Sequence, residues 1–156
     1  MAGSSLKDFA ALKALGQQLK GKHEEREREE AARAKAEAEN IRRRFDEAFW
    51  MEDLGFYGIA VDGAGELCRV LSSNPGHLLF SGLPTPARAR KVADRLMSSP
   101  FDTGWGLRTL ARGEPRYNPM SYHNGSVWPH DTAVCAMGLS RYGEREGVVA
   151  LTSGLF

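Results

Sequence analysis

The feature that most limits how this chain can fold is an eleven-residue stretch, 20–30, that has no apolar side chain. It reads KGKHEEREREE. A segment without an apolar stripe has nothing to bury against a core. The spacings Glu24–Arg28 and Glu29–Arg33 favour a helix, because opposite charges four residues apart attract across one turn. The sequence therefore predicts an exposed helix or linker here, rather than part of a packed domain.

The residues on either side of this stretch also favour a helix. Alanine and charged residues, which are strong helix formers, fill 31–40. Before it, apolar residues recur at three- and four-residue steps and form one stripe: Leu6, Phe9, Leu12, Leu15 and Leu19. We interpret 1–40 as a charged helical leader or linker. The alternative is a coiled-coil or partner-binding arm, although apolar heptads are not sustained through 20–30. The leader resembles the charged N-terminal leader of bacterial Small MutS-related nucleases, without a nuclease domain after it.

Composition changes after the leader and narrows the class of protein. Residues 1–44 hold 11 Lys/Arg and 8 Asp/Glu, whereas 45–156 hold 10 and 12 together with nearly all the aromatic residues. The second part is slightly acidic, which argues against a nucleic-acid partner. No apolar run is long enough to span a membrane, and Lys7 and Asp8 interrupt any signal peptide. Cys68 and Cys135 lie too far apart for a metal motif or a disulfide framework. We expect a cytoplasmic protein with no cofactor and no metal.

The second part is predicted to be mainly helical. Phe45, Phe49 and Trp50 are expected on one helical face, and a β-hairpin should turn at Asp62-Gly63. A short apolar helix should follow Asn74. Thr85 is expected to cap a further helix, with Pro86 at its first position. Asp131 or Thr132 should cap the helix after that, and Gly143 should end it. A last helix is expected from about 144 to 151.

A long loop rich in rings stands between the helices and ends in YNPMSYHNGSVWPHD, residues 117–131. Two Tyr, two His, two Asn, a Trp and an Asp lie in these fifteen positions, with two Pro and one Gly. Neither a helix nor a strand has this composition. Long irregular segments inside a domain are usually functional.

Four motifs in this order resemble the bacterial glycogen-debranching enzymes, the amylo-α-1,6-glucosidase-like glycoside hydrolases: SNPGHLLFSGL, GWGLRTLA, YNPMSYHNGSVWPHD and GLSRYG. The resemblance runs from about residue 42 to 156 and leaves 1–40 outside it. It implies a mainly α fold, namely part of an α/α toroid of the six-hairpin glycosidase type, with one short β-hairpin and the long charged helix before it. It divides the chain into 1–40 and 41–156, and it implies an α-glucan as the carbohydrate partner.

Sugar-binding clefts need aromatic faces for the apolar sides of sugar rings and polar side chains for the hydroxyl groups. Trp105 and Trp128 suit the first task. Five residues suit the second: Arg108, His123, Asn124, His130 and Asp131. Gly104, Gly106 and Gly125 would let the backbone turn sharply.

Each candidate also has a structural interpretation. Trp105 can seal the rim of the toroid, Arg108 can pair with Asp102 or Glu114, and Trp128 can pack on Met120 or Val134. Asp131 can be an N-cap, and His77 can be a structural histidine. A metal site of His123, His130 and Asp131 lacks a compact ligand spacing.

Glycosidic hydrolysis requires two carboxylates. The resemblance implies one acid upstream and one carboxylate downstream of the matched region, so the catalytic residues are unknown, and Glu114 and Asp131 are not expected to be the pair. Whether the chain is an enzyme therefore stays open. We expect a fragment of a debranching-type glycoside hydrolase that holds part of the cleft and is inactive alone. The alternative is a non-enzymatic helical interaction protein on a remnant scaffold.

An incomplete toroid should also leave apolar helix faces uncovered, which favours self-association. The side chains concerned are Leu78, Leu79, Phe80, Val134, Met137, Leu139 and Val148.

Overall fold

A computed structural model describes residues 4–155, with side chains described from residue 9 onward. The helices are α1 (Ser4–Phe49), α2 (Asn74–Ser81), α3 (Pro86–Leu96), α4 (Pro129–Arg141) and α5 (Arg145–Leu155). The strands are β1 (Trp50–Met51), β2 (Phe56–Tyr57), β3 (Ala60–Val61) and β4 (Leu67–Cys68). The chain forms two compact units that divide between Ile41 and Arg42.

In the first unit, the described residues form one continuous helix whose side chains from 9 to 41 are all exposed. Side chains four residues apart contact each other along it: His23 Nε2 lies 3.3 Å from Glu27, and Arg26 Nε forms an ion pair with Glu30 at 3.9 Å. Local propensity and such pairs, rather than burial, hold this stretch in helical form. Among the described helices, none is both long enough and apolar enough to cross a bilayer.

The second unit begins with the last turns of α1, which pack on the antiparallel ribbon of β1 and β2. The rings of Phe45 and Phe49 stack with centroids 4.4 Å apart. Tyr57 of β2 donates a hydrogen bond of 2.7 Å to Asp46, which also pairs with Arg88 of α3 at 2.8 Å. Trp50 starts β1 instead of extending α1, so placing it on the helical face was wrong. Its indole lies under the Arg88 guanidinium, 4.5 Å from the ring centroid.

The predicted hairpin and helices are present. β3 pairs with β4 around the Asp62-Gly63 turn, with Ala60 opposite Cys68. Thr85 caps α3 through its side-chain oxygen, which accepts from the Arg88 amide, and Pro86 opens that helix. Gly143 follows α4 with a φ of 78°, as a helix-terminating glycine should. The last helix extends to Leu155, four residues beyond the predicted end.

Two glycines bring α2 and α4 into close contact. A Cβ on Gly76 would stand 2.2 Å from Cys135 Sγ, and a Cβ on Gly138 would stand 2.6 Å from the Gly76 carbonyl. No larger residue fits at either position without moving a helix. The core forms around this contact and the adjacent ribbon. Its fully buried members include Phe56, Leu79, Leu96, Phe101 and Leu139.

The predicted exposure of apolar helix faces is wrong for two of the seven side chains, because Leu79 and Leu139 are both 0% exposed. Leu78 and Val148 are partly buried against the core. Phe80 and Met137 do remain in water, at 45% and 55% exposure. The helices of the second unit therefore cover Leu79 and Leu139 completely and leave Phe80 and Met137 exposed.

Candidate functional site

The aromatic loop and the start of α2 enclose a cavity of about 610 Å³ in the second unit. Five of the seven residues predicted to bind sugar line it: His123, Asn124, Trp128, His130 and Asp131. Apolar groups of Ile59 and Val70 contribute to the same wall. The cavity therefore combines a ring system, aliphatic surface and several hydrogen-bonding side chains, as pockets for small polar ligands do.

Thr109 ties the aromatic loop to the segment that precedes it. Its hydroxyl donates to the His123 carbonyl at 2.8 Å and accepts from the Gly125 amide at 3.0 Å. Its backbone amide donates to the Ser126 carbonyl at 3.0 Å. One side chain thus fixes the stretch that carries His123 and Asn124, which is how an irregular loop can present side chains in fixed positions.

Trp128 is held rigidly in the wall. Its indole N–H donates to the Tyr122 carbonyl and to Ser126 Oγ, both at 2.9 Å. Tyr122 and His130 meet the indole edge to face, with centroids 4.3 and 5.1 Å away. The ring of His123 lies parallel to it at 6.1 Å. The alternative in which Trp128 packs on Met120 is wrong, because the Met120 side chain is 91% exposed.

Glycine is required at two turns of this site. Gly106 has a φ of 141°, and a Cβ there would stand 2.7 Å from Thr132 Oγ1. Gly125 has a φ of 130°, and a Cβ there would stand 2.5 Å from the ring of Tyr117. Both positions combine a backbone conformation that L residues avoid with a close neighbour. The sequence predicted sharp turns at these two glycines, and the structure confirms them.

Asp131 does not cap α4, contrary to the expectation from sequence. The helix begins at Pro129, Trp128 holds the N-cap position, and Asp131 lies in the first turn. Its Oδ1 instead contacts His77 Nε2 of α2 at 2.5 Å, while the side chain is largely buried. Thr132, the other predicted cap, also lies inside the helix, and its hydroxyl accepts from the Leu107 amide.

Cys135 lies beside this pair. Atoms of His77, Asp131 and Cys135 that can bind a metal all lie within 4.8 Å of one another. Burial, with a smaller contribution from the nearby Asp131 charge, raises the pKa of the Cys135 thiol. The second carboxylate oxygen of Asp131, Oδ2, is buried and has no hydrogen-bond partner among the described residues.

The other two predicted residues, Trp105 and Arg108, are not among the residues that line the cavity. Trp105 is 78% exposed. The Arg108 guanidinium donates to three backbone carbonyls, those of Ser99, Phe101 and Asp102. It therefore braces the turn before the aromatic loop. The expected pairing of Arg108 with a carboxylate of Asp102 or Glu114 is replaced by these carbonyl contacts.

Several cavity residues were not anticipated. Ser72, Ser73 and Asn74 stand at the start of α2, and Thr109 and Arg116 flank the aromatic loop. Ser72 pairs with Leu110 in an isolated β-bridge, which brings the two segments together. Such a long-range pairing leaves no local pattern in the sequence. Glu114 also lines the cavity.

The Mannosylglycerate hydrolase MGH1-like glycoside hydrolase domain matches residues 5–156. The chain belongs to this glycoside hydrolase family. The match starts at residue 5 and so includes α1, which the resemblance read from sequence had left outside. No curated protein shows significant similarity to the chain.

Solved structures from Thermus thermophilus resemble the fold. A GH63 mannosylglycerate hydrolase in complex with Tris is 28% identical, with a TM-score of 0.61. The same enzyme in complex with glucose is 28% identical, with a TM-score of 0.60. A structure described as an uncharacterized conserved protein is 26% identical, with a TM-score of 0.60. Each similarity covers 69% of this chain and 26–27% of the Thermus chain.

These comparisons show a mainly helical glycosidase fold that forms part of a larger helical toroid. The chain spans about a quarter of the length of the solved structures that it matches. The named relatives are mannosylglycerate hydrolases, whereas the sequence motifs had suggested glycogen-debranching enzymes.

Proposed function

We propose that residues 42–155 form one wall of the carbohydrate-binding cleft of a glycoside hydrolase, and that a hexose ring lies against this wall beside Trp128. The observation that carries the proposal is the convergence of His123, Asn124, Trp128, His130 and Asp131 on one cavity. The first three come from the aromatic loop, whose shape is fixed by internal hydrogen bonds. His130 and Asp131 come from the first turn of α4.

The chemistry of the wall suits a hexose. The locked indole and its aliphatic neighbours offer apolar surface to the C–H side of a sugar ring. The imidazoles of His123 and His130 and the amide of Asn124 offer donors and acceptors for hydroxyl groups. A cavity of about 610 Å³ has room for a short oligosaccharide rather than a single water layer.

For the ligand, we propose an α-linked glucose oligosaccharide, as the four sequence motifs suggest. A specific observation favours a second candidate, mannosylglycerate. Arg116 lines the cavity, is exposed, and forms no ion pair with any described residue. A guanidinium in this position can bind the carboxylate of a glycerate group. The solved relatives named as mannosylglycerate hydrolases point in the same direction.

We further propose that this chain binds without hydrolysing. Hydrolysis needs an acid and a second carboxylate at a fixed separation. The two acidic residues in the cavity wall are Glu114 and Asp131, and Asp131 is largely buried in its contact with His77. Release of glucose from limit dextrin and of mannose from mannosylglycerate should therefore stay at background.

Saturation-transfer NMR on the full chain tests binding. The probes are maltotriose, methyl α-D-mannopyranoside and mannosylglycerate, with myo-inositol as a polyol that lacks a pyranose ring. We expect maltotriose to receive saturation and myo-inositol to receive none. If no pyranose receives saturation above the level of myo-inositol, the proposed function is wrong.

Two tryptophan variants provide a matched comparison. Trp128→Phe should weaken sugar binding about tenfold, which corresponds to about 1.4 kcal/mol, and Trp105→Phe should leave it unchanged. Arg116→Gln separates the two ligands, because it should weaken mannosylglycerate binding and leave maltotriose binding intact. Equal losses in both tryptophan variants would place the sugar elsewhere.

A further inference from the structure

We propose that residues 9–41 form an interaction surface for a second copy of this chain, and that the two copies pair as antiparallel helices. The inference is independent of the sugar site. It starts from exposure: Phe9, Leu12 and Leu19 are 69%, 67% and 60% exposed, and Ile41 is 50% exposed. An exposed apolar stripe on a helix is a docking surface when a complementary surface exists. Here the complementary surface lies on the same helix.

The apolar side chains at the two ends of this segment share one helix face. With about 3.6 residues per turn, they fall within an arc of about 100°: Phe9, Leu12, Leu19, Ala34, Ala38 and Ile41. The N-terminal end of the face carries large side chains, and the C-terminal end carries mostly alanine. Large side chains pack closely on a face of small ones, because the alanines let the helix axes approach.

Charge is distributed with the same asymmetry. Residues 9–22 contain Lys13, Lys20 and Lys22 and no acidic residue. Residues 23–30 contain five Glu and two Arg. The helix thus has a basic half that carries the large apolar stripe, followed by an acidic centre and an alanine-rich end.

This asymmetry selects the antiparallel orientation. Parallel copies would align lysine with lysine and glutamate with glutamate, and like charges across a helix pair repel. An antiparallel pair with its twofold axis near Glu25 and Arg26 brings Lys20 close to Glu30. It also brings Leu12 close to Ala38 and Ile41. Over 33 residues at about 1.5 Å per residue, the contact extends for about 50 Å.

A second copy fits this face better than an anionic lipid surface does. The five glutamates of 23–30 lie in the middle of the segment, and an anionic bilayer would repel them. In an antiparallel pair with this axis, Glu29 and Glu30 come close to Lys22 and Lys20 of the partner copy, and Glu25 comes close to Arg26 of the partner copy. These three contacts let the centre of the segment contribute to the pairing.

The first experiment measures the mass of the full chain by sedimentation velocity at several concentrations. We expect a dimer that dissociates on dilution and as salt is raised, since screening weakens the charge pairing. Ala34→Gln should raise the dissociation constant at least tenfold. Ala32→Gln, a matched change on the opposite helix face, should leave it unchanged. A strictly monomeric chain, or equal effects of the two variants, would contradict the proposal.

Cysteine cross-linking tests the orientation. In a Cys68→Ser background, where Cys135 stays buried, Leu12→Cys combined with Ala38→Cys should form a covalent dimer on mild oxidation. Within one helix these positions are about 39 Å apart, too far for an internal disulfide. Leu12→Cys alone should not cross-link. Efficient cross-linking of the single variant would indicate parallel copies and overturn the antiparallel pairing.

Discussion

Leu15 and Leu139 both occupy the apolar face of a helix, yet Leu15 is 51% exposed and Leu139 is fully buried. Apolar periodicity predicts a helix equally well in both places. Burial depends on whether another element supplies a matching surface. In the second unit, α5 covers Leu139, whose Cδ1 would stand 2.9 Å from a Cβ added at Gly147. In the described part of the first unit, the helix is held by its own turns and carries its apolar stripe in water.

Truncation of these two leucines should show the difference most strongly. Leu139→Ala should lower the free energy of unfolding of the second unit by about 2–5 kcal/mol, because it leaves a cavity in a packed core. Leu15→Ala should change it by less than about 0.5 kcal/mol. Urea unfolding followed by tryptophan fluorescence, at a concentration where the chain is monomeric, measures both. Similar losses would mean that Leu15 is packed in solution.

Alanine substitutions at two glycines should change stability in opposite directions. Gly138→Ala should destabilise the second unit by about 1–3 kcal/mol, because the methyl group has no room: it would lie within 2.8 Å of Gly76, Leu79 and Phe80. Gly21 has no neighbouring atom within 4 Å of an added Cβ. Gly21→Ala should therefore strengthen the helix by about 0.5–1 kcal/mol. Thermal unfolding by circular dichroism checks both, and a destabilising Gly21→Ala would contradict the exposed position.

The sequence predicted local features well for physical reasons. A helix cap such as Thr85 acts on the three residues after it, and the turn at Asp62-Gly63 is set by adjacent residues. These signals need no knowledge of the rest of the fold. Asp131 shows where local reasoning fails: its position favours a cap, but His77, 54 residues away in sequence, takes its carboxylate.

Some residues of the candidate site were predicted from the sequence, and others were not. Residues inside the aromatic loop reached the cavity together because internal hydrogen bonds fix the shape of the loop. Arg108 did not, because nearby carbonyl groups satisfy its guanidinium. Ser72 and Asn74 were missed because only tertiary pairing brings α2 beside the loop.

Raising the pH should have a smaller effect, on the stability of the second unit. Burial, and then the hydrogen bond to Asp46, raises the pKa of Tyr57, and burial raises that of Cys135. The folded state therefore holds protons that the unfolded chain loses near pH 8.5–10, at about the ordinary pKa values of these groups. The stabilisation is complete below that range and falls as pH rises, by at most about 1.4 kcal/mol per pH unit and group.

Melting temperatures at pH 7 and pH 10.5 measure this decline. The Tyr57→Phe variant should melt at a lower temperature than the unmodified chain at pH 7, because it lacks the hydrogen bond to Asp46. Its melting temperature should then fall less steeply as the pH rises, because it has no phenol to titrate. Parallel declines in the two proteins would show that Tyr57 does not titrate in this way.

The contrast between Trp105 and Trp128 bears most directly on the proposed sugar cleft. The chain has three tryptophans, so a ¹⁵N-labelled sample gives three indole N–H signals, one of them from Trp50, which donates to Glu52. Titration with maltotriose should shift the Trp128 signal in a saturable manner and leave those of Trp105 and Trp50 in place. A saturable shift of Trp105 with an unchanged Trp128 would contradict the assignment of the aromatic loop as the wall of the cleft.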